Sequence, residues 1–135
     1  MPLSQWLPIL LAAVAAFLLG ALWYSPLLFA KAWVRAHGYT AEQMEGMRRR
    51  ALRTYLGSFV AFLLIATVLS IFLNHLGADS FHDGAAWGFH AWLGFAFPLG
   101  FIAYLYADKR PATFLIDTGY QLVYLVAMGA ILGAW

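Results

Sequence analysis

Four apolar stretches, each close to the roughly 20 residues that a helix needs to cross a bilayer, constrain this chain more than any other feature. They lie at about 4–24, 52–74, 84–106 and 112–134. The reading they impose is all-α: one integral membrane domain, a bundle of four spanning helices. An amphipathic cytoplasmic helical connection joins the first two spans. Composition agrees with this. The chain has 135 residues, is 64% hydrophobic and only 10% charged, whereas soluble domains carry roughly 25% charged residues. The first apolar run exceeds the ~7–15 residues of a signal-peptide core, and no Lys or Arg precedes it. It is therefore expected to stay as a helix.

The connections carry helix punctuation. Ser25-Pro26 reads as an N-cap followed by a first-turn proline, which predicts a short interfacial helix over 26–37. Phe29 and Trp33 share one face of it, and Lys31 and Arg35 flank them. Gly38 is its expected stop. Thr40-Ala41-Glu42-Gln43 has the form of a capping box and opens a second short helix over 41–51. Pro98 falls in mid-span and should kink the third helix. Asp108-Lys109-Arg110-Pro111 reads as a tight turn into the fourth.

Small residues recur four apart at Ala12, Ala16 and Gly20, at Gly57 and Ala61, at Gly84 and Gly88, and at Gly129 and Gly133. Such rows let helices approach closely. The expectation they raise is homo-oligomerisation, most simply a dimer.

All eight Lys and Arg fall at the first and third connections. By the positive-inside rule those connections are cytoplasmic and both termini lie outside. The cluster Arg48, Arg49, Arg50 and Arg53 then reads as a membrane anchor with snorkelling side chains. A nucleic-acid partner is rejected, because the basic residues sit where topology alone would put them. There is no Cys, so disulfides and thiol chemistry are excluded. His75, Asp79, His82 and Asp83 match no metal-ligand spacing. No phosphate loop, His-Glu-x-x-His or nucleophile elbow is present. The chain reads as a non-enzyme without metal or cofactor.

Ionisable residues inside spans are functional candidates because burying them is costly. Asp117 stands about six residues into the fourth span, or roughly 9 Å at 1.5 Å per residue. His90 stands at a similar depth in the third span, but from the opposite side, so the two are not expected to meet. Tyr24, Ser25, Arg53 and Tyr120 share the half of the bilayer that holds Asp117. Tyr24, Ser25 and Arg53 are its expected donors. Two roles fit Asp117: a polar clamp on the end of the first helix, or a carboxylate that binds a proton or cation along a path. His90 is either bonded to backbone or a proton relay.

The motif Gly20, Trp23, Tyr24, Ser25, Pro26, Phe29 and Trp33, with the later Asp117-x-Gly119-Tyr120 and the Gly-rich ending at Trp135, resembles a bacterial family called "domain of unknown function 1761". The resemblance covers nearly the whole chain. It implies a four-span protein, here of a bacterial inner membrane, and no activity. Two functional classes remain. One is a small oligomeric transporter or channel for a small solute or ion. The other is a non-transporting module that binds a partner protein or lipid.

Overall fold

The computed structural model describes residues 3–108 and 110–135. Met1, Pro2 and Lys109, which entered the readings of the N-terminus, the charge pattern and the third turn, lie outside the described residues. The elements are α1 (Leu3–Trp23), α2 (Ala30–His37), α3 (Ala41–Arg49), α4 (Ala51–Leu76), α5 (Phe81–Ala91), a π-helical turn (Trp92–Ala96), α6 (Phe97–Tyr106) and α7 (Pro111–Ala134). Among the described residues four stretches are long and apolar enough to cross a membrane: Gln5–Trp23, Ala51–Leu76, Phe81–Tyr106 and Pro111–Ala134. The molecule is thus an all-α membrane protein with four candidate spans.

Local chemistry sets most boundaries. Thr40 and Gln43 form the reciprocal capping box at the start of α3. Ser80 caps α5 through the Asp83 N–H at 3.1 Å. Gly38 and Gly77 end α2 and α4 at φ 68° and 71°, a left-handed conformation that glycine adopts without a Cβ penalty. Pro111 opens α7, where its missing N–H is not needed.

Two details depart from the sequence reading. Ser25 does not cap a helix beginning at Pro26. Its hydroxyl donates back to the Leu22 carbonyl at 2.6 Å, which satisfies the end of α1, and turns fill 24–29 before α2 starts at Ala30. Pro98 expresses its disruption as the π-helical turn. The Phe97 N–H reaches back five residues to the Trp92 carbonyl, so the helix widens just ahead of the proline that cannot donate.

α7 is the central element, packing on α1, α2, α4, α5, the π turn and α6. Where α1, α4 and α7 meet, Ile9, Ala12, Ala16, Ala66, Leu69, Leu73 and Met128 form the core. Large apolar side chains such as Leu18, Leu64, Leu93, Leu99 and Leu115 point outward and are more than half exposed or close to it. In water that surface would be a liability, whereas hydrocarbon solvates it.

The glycine pairs meet one another within the chain. A Cβ on Gly84 would strike the Gly129 carbonyl, and one on Gly129 would strike that of Gly84. Gly88 lies on the Leu125 backbone and Gly133 on the Ser80 carbonyl in the same way. Ala12 and Ala16 are fully buried. These rows are spent on the α5–α7 and α1–α7 packing, so they no longer argue for a dimer. Gly57 has nothing within 4 Å of an added Cβ.

Candidate functional site

The end of α1, the turn after it and α2 fold against the first half of α7, and the junction is polar. The Tyr24 hydroxyl donates to Asp117 Oδ1 at 2.6 Å. The Trp33 indole N–H donates to the same oxygen at 3.0 Å. One residue earlier, the Ile116 carbonyl accepts from Trp23 Nε1 at 3.0 Å. One residue later, the Thr118 carbonyl accepts from Trp92 Nε1 at 2.9 Å. Three tryptophans from three elements therefore converge on three consecutive residues of α7.

The two sequence motifs interlock here. A Cβ on Gly119 would come within 3.2 Å of the Trp23 ring, so glycine at 119 makes the seat for that indole. Tyr120 crosses the opposite way and donates to the Ala16 carbonyl at 2.6 Å. Its path runs over Gly20, where a Cβ would lie 2.6 Å from the Tyr120 hydroxyl. Tyr24 stacks edge-on against Trp33 and against Tyr120, with ring centroids 5.7 and 5.4 Å apart. Trp23 packs on Phe29 at 4.7 Å. Each motif thus leaves a gap that the other fills.

Not every candidate residue belongs to this junction. Arg53 is exposed; the one ion pair among the described residues joins Arg48 and Glu45 at 3.3 Å. Ser25 bonds to its own helix end rather than to Asp117. His90 is exposed, and its Nδ1 lies 2.7 Å from the Ala86 carbonyl of its own helix. The imidazole is solvated by its own turn and stands apart from Asp117. Among the described residues no group of three or more His, Cys, Asp or Glu could hold a metal. His75 turns back to the Ile71 carbonyl at 2.9 Å.

A cavity of about 200 Å³ lies between α6 and α7, with Asp117 in its lining. Gly100, Ala103, Tyr104 and Ala107 line one wall, and Thr113, Phe114, Asp117, Thr118 and Gln121 the other. Tyr104 and Phe114 stack at 5.3 Å beside it. Three polar atoms on this face of α7 are buried without a hydrogen-bond partner: Thr113 Oγ1, Thr118 Oγ1 and Gln121 Oε1. Thr113, Asp117 and Gln121 repeat at a spacing of four, which puts them on one helix face. That spacing was visible in the sequence. Their convergence on one cavity was not, because the opposite wall comes from α6.

Both bonds to Asp117 end on Oδ1. Oδ2 has no hydrogen bond among the described residues. The carboxylate is clamped through one oxygen, and its residue lines the cavity.

A protein-family model described as "Protein of unknown function (DUF1761)" matches residues 7–133. The match takes in both motifs and every residue of the junction. No curated protein and no solved structure matches the chain.

Proposed function

We propose that this chain, which belongs to the family of proteins of unknown function DUF1761, is a small membrane transporter or channel whose working site is Asp117 and the cavity beside it. One observation carries the reading. A carboxylate inside a candidate span lines a cavity of about 200 Å³, and only one of its oxygens is bonded among the described residues. Buried polar groups are nearly always bonded, and an intramembrane carboxylate is expensive. A fold that needed Asp117 only as a clamp would gain nothing from leaving its second oxygen open. A ligand in the cavity would meet that oxygen.

In this reading Tyr24 and Trp33 position the carboxylate and the α6 wall closes over it. The first and third connections face the cytoplasm, following the Lys and Arg placement, so the cavity opens in the inner half of the bilayer. We assign the chain no catalytic activity of its own. The test is flux of small solutes and ions into proteoliposomes, wild type against Asp117→Asn, with thermal unfolding of both. Transport predicts lost flux in a variant that still folds. A folded Asp117→Asn protein with wild-type flux ends the reading.

A second reading has its own observation. Arg48, Arg49, Arg50 and Arg53 are all exposed, and among the described residues only Arg48 is in an ion pair. This fits a module that holds anionic lipid or an acidic partner. It predicts loss of binding to anionic vesicles when the cluster is neutralised, with Asp117→Asn affecting stability alone.

A further inference from the structure

The third candidate span is built in two halves, and α7 holds them very differently. Resting on the transport reading above for what it serves, we propose that α6 is a hinged gate over the cavity beside Asp117. It swings about the π-helical turn while α5 stays fixed on α7.

The first half is locked. Gly84 and Gly88 are buried, and a Cβ on them would strike the Gly129 and Leu125 carbonyls of α7. Trp92, the first residue of the π turn, pins the end of this half by donating from Nε1 to the Thr118 carbonyl at 2.9 Å. Beyond that bond the contact loosens. No residue of α6 is buried, and among the described residues no side-chain hydrogen bond joins α6 to α7. The ring contacts of α6 with α7 all fall on Phe114, which meets Phe97, Phe101 and Tyr104 at 5.7, 6.0 and 5.3 Å. Beside these rings the cavity takes the place of packing. Segments with few buried contacts are the ones that open most readily.

The joint between the halves has the chemistry of a hinge. Pro98 has no N–H to give, and the Phe97 N–H has moved to the Trp92 carbonyl, so the regular ladder is interrupted for a turn. Gly94 sits inside that turn with open space where a Cβ would be, and glycine gives the backbone its widest freedom. α6 has 10 residues and is therefore about 15 Å long. A change of about 20° at the joint, the scale of bends at prolines and π-bulges, moves its far end by roughly 5 Å. That end carries Ala103 and Tyr104, which belong to the cavity wall. The movement costs no backbone bond, because a helix satisfies its own polar groups in lipid. Leu99, Ile102 and Leu105 are already exposed, so only the rings on Phe114 have to part.

The experiment is a pulsed electron spin resonance distance measurement on the full chain in lipid nanodiscs. The chain has no Cys, so spin labels attach only where one is introduced. Tyr106→Cys at the end of α6 and Phe89→Cys in α5 are each paired with Leu64→Cys in α4, all at exposed positions. A hinged α6 gives the 106–64 pair a second distance, about 5 Å from the first, while the 89–64 pair keeps one narrow distance. Phe114→Ala removes the ring on which α6 rests and should enrich the second distance about twofold or more, the shift expected from one lost aromatic contact. Pro98→Ala returns an N–H to the ladder and should leave a single distance. The two variants act in opposite directions, so either one tests the gate if the other fails to fold. One narrow 106–64 distance that Phe114→Ala does not change overturns the gate, as does an equal spread in both pairs. A fixed α6 with Asp117-dependent flux ends the gate and leaves transport standing. A second distance with flux that Asp117→Asn leaves unchanged ends the transport reading and leaves the hinge standing.

Discussion

Asp117 depends on two donors that reach it from different elements, so their loss should not simply add. Tyr24→Phe removes the 2.6 Å bond and keeps the ring packing. A hydrogen bond to a charged group is worth about 1.5–3 kcal/mol, and a loss of that order is expected in chemical or thermal unfolding. Asp117→Asn weakens the same bond from the other end. The double variant should therefore cost less than the sum of the singles. Simple additivity would show that the two residues are not coupled. A second residue-level prediction concerns Gly20. Its Cβ would meet the Tyr120 hydroxyl at 2.6 Å, so Gly20→Ala should push Tyr120 off the Ala16 carbonyl. The expected cost is on the order of 1–3 kcal/mol, from an acceptor left short and local overpacking. In the Tyr120→Phe background, which has no hydroxyl to displace, Gly20→Ala should cost clearly less.

At the scale of elements, α5 and α7 approach so closely that only glycine fits on either side. Gly129→Ala places its Cβ against the Gly84 carbonyl, and backbone cannot step aside as a side chain can. The helices must separate, and the loss of packing along their whole seam should exceed about 3 kcal/mol. Gly57→Ala is the control. It meets nothing within 4 Å and lies inside α4, so it should be neutral or stabilising by up to about 1 kcal/mol. Equal unfolding temperatures for the two variants would contradict the close α5–α7 seam. The π turn ahead of Pro98 belongs to this scale too. It lets α5 and α6 act as one span across a residue that cannot donate.

The whole molecule has a sidedness that labelling can test. The chain has no cysteine, so single cysteines report their own position. Cysteine placed at Asp79, in the exposed second connection, should react with an impermeant maleimide on intact cells. Cysteine at Glu45 or Asp108, in the first and third connections, should react only after the membrane is opened. The reverse pattern would invert the proposed orientation and put the cavity mouth on the other side. Spending the glycine rows inside one chain also bears on assembly. Any contact between copies has to use faces such as that of Gly57, which are open in the monomer.

The sequence by itself determined the four candidate spans, the helix-ending glycines, the capping box and the single acidic residue inside α7. These are local properties. Hydropathy sums along the chain, caps act over three or four residues, and neither needs to know what lies across the bundle. Only the tertiary structure decided whom Asp117 meets. Arg53 has the better charge and the wrong position, whereas Trp33 reaches the carboxylate because turns over 24–29 fold α2 back onto α7. It also decided that the glycine pairs face each other, and that Thr113, Thr118 and Gln121 share a cavity with a wall from α6. Which faces meet is set by close packing among elements far apart in the chain, and helical spacing fixes a face without naming its neighbour.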